Sequence, residues 1–394
     1  MRRTLAIAVI ALSCLAGCSQ TKPPDNKKAA AAQWNGARAA VLHSLASDQF
    51  KTGNYDKARQ TVVEALKMSP QNAELWILSA KLNIEQSQLE VAQQDLGRAM
   101  EFAPEKAEPY YLRGVINQRW QKLDQASADY QFASEKAPAE LAYVLARAET
   151  LVAMDRSKEA LGLLQEKMPY FENNPVIRDA AGQLLMQQQR YSDAVDTFRQ
   201  AAMLATDDLG LKERLAKALL FNKQHREAAE LLNRLTRDDR NIGRADLYVM
   251  LGEACMQSDR PSEARGAFET ATQINPSNAQ AWQGIGKVAL NANDLRRAEL
   301  AIRKSVALDP ADAQSQLLLG YMRMKQAKLN EAMVAFRKAS ALDQGDAVAL
   351  CMTGYVLEQL GEQQQAMDLY AKALKLRPGD ELATKLLANV GLND

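Results

Sequence analysis

The 394-residue chain is predicted to be an all-α solenoid of about ten helical hairpins, and three observations carry that expectation. Alanine recurs at one register: Ala58, Ala92, Ala126, Ala160, Ala194, Ala228, Ala264, Ala298, Ala332 and Ala366. The step is 34 residues, broken once by 36 between Ala228 and Ala264, and a fixed period of this size marks stacked supersecondary units. Glycine keeps the same beat late in the chain, at Gly252, Gly286, Gly320 and Gly354. Aromatic residues make up only 6%, while alanine, leucine, glutamine and lysine, all good helix formers, abound.

Residues 1–17 read as an export signal. Arg2 and Arg3 precede an apolar run from Leu5 to Leu12, which is shorter than the roughly 20 residues a spanning helix needs. Leu15-Ala16-Gly17-Cys18 resembles the lipobox of bacterial lipoproteins, in which small residues before the cut fit a peptidase groove and the thiol accepts diacylglycerol. That resemblance implies lipidation of Cys18, and Ser19 after it implies sorting to the outer membrane, facing the periplasm. Several acyl chains, each contributing about 0.8 kcal/mol per buried methylene, would hold the protein on the membrane.

Residues 18–38 then form a lipidated tether and an N-terminal helix. Gln20 to Asn26 is polar with two prolines, and Lys27 to Ala40 is alanine-rich, with Asp25 or Asn26 as its N-cap. Arg2 and Arg3 are the only charged residues of the leader, and 49 basic side chains face 48 acidic ones overall. The mature chain therefore offers no basic field for nucleic acid, and the one membrane contact expected is the N-terminal lipid. Cys255 and Cys351 lie almost three units apart and are expected to be small buried side chains, not a disulfide.

Let each unit be counted so that the recurrent alanine holds place twenty. In the unit from Ala279 to Asp312, Trp282, Gly286, Ala298 and Pro310 hold places four, eight, twenty and thirty-two. Phe268, Phe336 and Tyr370 hold place twenty-four; Ala271, Ala339 and Ala373 hold place twenty-seven, with Ser305 in one unit. This pattern resembles the tetratricopeptide repeat, a pair of antiparallel helices with small residues at places eight, twenty and twenty-seven. The resemblance covers residues 39 to 378 and implies a right-handed superhelix of hairpins.

Each place has a mechanical reason. Two helices approach closely where side chains are small, and place eight is expected to face the alanine at place twenty. Proline at place thirty-two stops the second helix. Asn72, Asn174, Asp208, Asn278, Asp312, Asp346 and Asp380 then cap the next one. Gly53, Asn293 and Gly361 suit the positive φ of the turn between helices. Units one to six occupy 39–240 and units seven to ten 241–378. Residues 379–394 close the end, with Leu382, Leu386 and Leu387 turned onto the last hairpin.

The middle is less regular: Glu172, Thr206 and Arg240 stand where proline is common, and the two extra residues fall within 236–244, a candidate bend.

No catalytic constellation is present, so no enzymatic activity is expected. Only His43 and His225 occur, no ligand pair has zinc-site spacing, and the glycines follow the repeat, not a phosphate loop. No cofactor or metal is expected. In the repeat family the first helix of each hairpin lines a concave surface through places two, five, nine, twelve and thirteen. Carried onto this chain, those places include Tyr111, Val115, Gln118 and Arg119 in the third unit. Further along they give Met186, Leu220, Phe221, Met256, Tyr321, Met324 and Tyr355. Aromatic and methionine side chains supply the adaptable contact area of interaction hot spots. Lys81, Lys217 and Lys287 hold place nine in nonadjacent units, so the lysine–asparagine clamp that some relatives use for a C-terminal carboxylate is not reproduced.

The combination of lipobox and repeats resembles lipoproteins that assist secretin or pilus assembly, in the tight-adherence and type IV pilus groups. It implies a non-enzymatic scaffold whose partners are other envelope proteins: secretin, pilus or export components. The alternatives are a component for exopolysaccharide export, or an adaptor for a periplasmic protease or peptidoglycan hydrolase.

Overall fold

The computed structural model describes residues 26–390; the leader, Cys18 and its lipid, and the tether lie outside the described residues. Among the described residues there are 21 α-helices, two short 3-10 turns and no strand. They belong to two compact units, one ending at Leu163 and the other beginning at Leu164. None of the helices is long and apolar enough to cross a membrane.

In the first unit, α1 (Asn26–Lys51) pairs with α2 (Tyr55–Met68), α3 (Ala73–Glu85) with α4 (Leu89–Phe102), and α5 (Ala107–Arg119) with α6 (Leu123–Lys136). There follow α7 (Leu141–Ala153) and α8 (Ser157–Lys167), which runs across the division. The second unit continues with α9 (Pro175–Gln187), α10 (Tyr191–Leu204), α11 (Leu209–Phe221) and α12 (His225–Thr236). After these come α13 (Ala245–Gln257), α14 (Pro261–Ile274), α15 (Ala279–Asn291), α16 (Leu295–Leu308), α17 (Ala313–Lys325) and α18 (Leu329–Leu342). The last are α19 (Ala347–Gln359), α20 (Gln363–Leu376) and the closing α21 (Glu381–Val390).

All ten register alanines are fully buried. The small residue at place eight shares a cluster with the alanine at place twenty, as at Ala46 with Ala58 and Ala80 with Ala92, and has a further, nearer neighbour. A methyl added at Gly114, Gly182, Gly252 or Gly354 would meet the ring of Tyr130, Phe198, Phe268 or Tyr370 at 2.6 Å. Place eight therefore makes room for place twenty-four, and at Gly354 the Ala366 carbonyl of place twenty also comes within 3.2 Å.

The two places vary together. Glycine stands opposite an aromatic ring at Tyr130, Phe198, Phe268, Phe336 and Tyr370. Where alanine holds place eight, at Ala46, Ala80, Ala148 and Ala216, place twenty-four is the smaller Val62, Leu96, Leu164 or Leu232. Gly286 against Ile302 is the exception. Close packing leaves no slack for a methyl and a ring together.

The caps follow the sequence. Asn72, Asn174, Asp208, Asn278, Asp312, Asp346 and Asp380 each accept a backbone N–H of the following helix, at 2.8–3.0 Å. The turns reach beyond expectation. Gly53, Asn293 and Gly361 have positive φ, and so do Ser87, Gln121, Asp155, Gln189, Lys223, Asp259 and Ala327, at φ 58–60°. Seven residues without glycine's freedom thus hold a left-handed conformation that hairpin closure imposes.

Of the three middle units without the proline, two end in a 3-10 turn, at Met168–Phe171 and Asp239–Asn241, while a fourth unit, with Gln344 at that place, does not. The candidate bend at 236–244 lies inside the second unit and is tied down. Buried Asn241 donates to the Leu235 carbonyl at 2.9 Å, and Arg240 grips the Asp238 carboxylate. Cys255 and Cys351 are buried free thiols. In α21, Ala383 and Val390 are buried and Leu386 packs against the cluster that includes Leu350, Cys351 and Ala383, whereas Leu382 stays exposed.

Candidate functional site

The first helix of each hairpin carries the candidate contact places, and the two units use them differently. In the first unit these places are largely occupied by the protein itself. Lys81 at place nine of α3 pairs with Glu108 of α5 at 2.6 Å, and Lys106 pairs with Glu74. Both bridges join neighbouring hairpins on the same helix row. Burial, together with the charges of Lys81 and Lys106, holds the nearby His43 imidazole below its usual pKa.

Tyr111, selected from sequence, is half-buried between Tyr130 at 5.6 Å and Tyr143 at 4.7 Å. Burial pushes the Tyr143 phenol up to about 12. Val115 is half-buried, the Gln118 amide oxygen accepts from the Tyr130 hydroxyl at 2.8 Å, and exposed Arg119 donates to the Ile84 carbonyl.

In the second unit one of the selected places, Phe221, is exposed and the others are half-buried. Met186, Leu220 and Met256 are half-buried on α9, α11 and α13. Phe221 is 59% exposed and stacks on Tyr191 at 5.3 Å. Tyr321, Met324 and Tyr355 pack on one cluster that includes Leu317, Phe336 and Val356. Tyr321 meets Phe336 edge-on at 5.3 Å.

A cavity of about 490 Å³ lies across α15, α17 and α19. Its apolar lining is Leu290, Leu317, Leu318 and Val348, with Tyr321 beside them. Lys287 and Lys325 stand at its rim, and among the described residues neither makes an ion pair or a hydrogen bond. Asp346 also reaches the cavity, but its carboxylate already caps α19 through the Val348 N–H.

The sequence-selected residues do not converge on one site. Tyr321 lines the cavity, while Tyr111, Val115 and Arg119 belong to the other unit. The apolar lining was not singled out, although Leu290, Leu317 and Val348 hold places twelve, five and two of the same grid. The legible signal was the grid; ranking it by aromatic and methionine content passed over the leucines. Among the described residues no group of three or more His, Cys, Asp or Glu is placed to hold a metal ion.

Comparison with known proteins agrees with this geometry. A tetratricopeptide-repeat family profile matches residues 43–116, and the profile of the C-terminal domain of cilia and flagella-associated protein 70 matches 205–393. Human tetratricopeptide repeat protein 16 is 26% identical over 145 residues, covering 36% of this chain and 16% of that protein. Mouse superkiller complex protein 3 is 26% identical over 80 residues, 20% of this chain and 5% of its own length. The chain thus spans a small part of either relative. The crystal structure of a tetratricopeptide repeat protein from Parabacteroides merdae superposes with a TM-score of 0.55 at 16% identity, covering 63% of this chain and 97% of that one. With hairpins, register alanines, caps and repeat profile in agreement, the chain is a tetratricopeptide-repeat protein.

Proposed function

We propose that the chain is a lipid-anchored scaffold of the bacterial outer membrane, facing the periplasm. It grips a segment of another envelope protein in the cavity across α15, α17 and α19 and thereby assists assembly of a pilus or secretin. The observation that carries the choice of site is the pair Lys287 and Lys325, without a hydrogen bond or close ion pair among the described residues, above an apolar floor. At the place in the first unit that matches Lys287, a bridge to Glu108 at 2.6 Å already satisfies Lys81. An apolar floor with a few convergent polar groups is the usual make-up of a binding pocket. Support for the compartment rests on Leu15-Ala16-Gly17-Cys18 followed by Ser19.

The test is in-cell photocrosslinking from position 321 in the cavity, with position 334, 66% exposed on α18, as the control. Capture of a secretin or pilus subunit from 321 alone, lost in the Lys287→Glu/Lys325→Glu variant, supports the reading. Equal capture from both positions would refute it. A second reading, contact with an exported polysaccharide, draws on exposed Phe221 stacked on Tyr191, since sugar rings favour aromatic faces. Recovery of a glycan porin from position 221 would favour it instead.

A further inference from the structure

We infer that the outward faces of α16 and α18 form a contact surface for an anionic phospholipid bilayer. The chain is close to neutral, with 49 basic and 48 acidic side chains, so any strongly charged patch is local. Helix α16 buries Ala298, Ala301, Ile302 and Ser305, at places twenty, twenty-three, twenty-four and twenty-seven, and α18 buries the same places. With successive residues turned by about 100°, places eighteen, twenty-two and twenty-five point the opposite way, and place twenty-six flanks them.

Eight of the ten second helices carry an acidic residue at one of these four places, such as Glu230 on α12, Glu269 on α14 and Asp368 on α20. On α16 and α18 there is none. Arg296, Arg303 and Lys304 stand there on α16, and Arg337 and Lys338 on α18. All five are exposed, and among the described residues none makes an ion pair or a hydrogen bond. The two helices hold only two acids, Glu299 and Glu331, and both bridge to Arg323 of α17, at 3.1 and 2.9 Å. Place twenty-two is a large apolar residue on both: Leu300 is 64% exposed and Val334 66%. In the other second helices this place is polar, glycine or alanine.

The two faces adjoin. Place twenty-five of one second helix and place twenty-two of the next line a shared groove, as Arg337 and Asp368 do on α18 and α20, and Asn233 and Gly266 on α12 and α14. The same step sets Arg303 of α16 beside Val334 of α18, so two aliphatic side chains sit among five cations. Cations that read one protein carboxylate are usually fixed in place by geometry. These are held by no partner. Clusters of four to eight Lys and Arg around an exposed apolar stripe suit a bilayer surface, where headgroup phosphates are spread out and methyl groups enter the acyl boundary. The contact needs no acyl chain on Cys18. Neither helix lines the cavity across α15, α17 and α19, which stays open when the bilayer is engaged.

The test is flotation of the full Cys18→Ser chain with vesicles of equal parts phosphatidylglycerol and phosphatidylcholine, or of phosphatidylcholine alone. We expect tighter binding to the anionic vesicles, weakening as salt rises. A cation at such a surface is worth about fivefold in affinity, so Arg303→Gln/Lys304→Gln should weaken binding by roughly 25-fold. Leu300→Ser/Val334→Ser should weaken it as well, with the salt dependence retained. Arg226→Gln/Arg234→Gln on α12, where Glu230 lies between the two, removes the same charge and should bind like the parent. Circular dichroism should be the same for all. A parent that floats with neither vesicle, or equally with both, would overturn the inference. So would an Arg303→Gln/Lys304→Gln variant that binds like the parent, or an equal loss in the α12 variant. Capture of soluble polyglutamate without flotation would assign the patch to an acidic protein instead.

Discussion

Gly182 and Phe198 offer the sharpest test of the packing. A methyl at Gly182 would lie 2.6 Å from Cε1 and 2.8 Å from Cδ1 and Cζ of Phe198, about 1 Å inside ordinary contact. Overpacking of this kind costs about 1–3 kcal/mol, and alanine in a helix interior returns about 0.5–1 kcal/mol over glycine. Gly182→Ala alone should therefore destabilise the α9–α10 hairpin by about 1–2 kcal/mol. Phe198→Leu alone leaves a hole beside the glycine and should cost about 1–2 kcal/mol, below the range for complete loss of a buried ring. Together the methyl fills the hole, reproducing the alanine–leucine pair found at Ala80 and Leu96. The double variant should lose about 1 kcal/mol or less, a coupling of about 2 kcal/mol within the range for touching residues. Repeat arrays unfold locally, so native-state hydrogen exchange of α9 and α10 amides is the appropriate readout. Gly266→Ala is the control: nothing lies within 4 Å of the added methyl, and a gain of about 0.5–1 kcal/mol is expected. Additive losses in the double variant, or equal effects at 182 and 266, would refute the account of place eight.

Ala327 holds φ 59° without glycine's freedom, so Ala327→Gly should stabilise its hairpin by about 0.5–1 kcal/mol in urea denaturation. The Cys351 thiol is pushed up to about 11 from an ordinary 9.0, chiefly by burial. Its folded pKa is raised, so its contribution is intact below pH 9 and is lost as pH climbs towards 11. Thermal melts from neutral to alkaline pH should therefore fall more steeply for the parent than for Cys351→Ala; parallel curves would count against this. Cys18→Ser should release the chain from membranes, measured by fractionation, and continued retention would argue against a lipid anchor.

The hairpins were legible because one methyl repeats ten times and each cap sits a fixed distance from it. The partnership of glycine with the ring was also written in the chain. It becomes visible only when places eight and twenty-four are read together, since either alone looks like ordinary smallness or ordinary bulk. The turns were not legible. Ser87, Gln121 and Lys223 have no left-handed preference of their own, and the packing of two helices imposes it. The candidate site was half legible. Sequence supplies the grid of places, but whether a lysine on it is available depends on its neighbour. Lys81 pairs with Glu108 from the next hairpin at 2.6 Å, whereas Lys287 makes no such close bridge and only feels the charge of Glu253 from the hairpin before it. Leu382 shows the same limit at the closing helix: spacing marked it for burial, yet the short side chain of Ala383 takes that position.

The helix α21 determines more than the stability of the last hairpin. Near-identical modules that stack through one kind of surface have no intrinsic stopping point, and any copy with both ends bare would template the next into a fibre. By spending Ala383, Leu386 and Val390 on that final surface, the chain removes one of the two ends such growth requires. Deleting this terminal element should therefore yield filaments, not merely a less stable monomer.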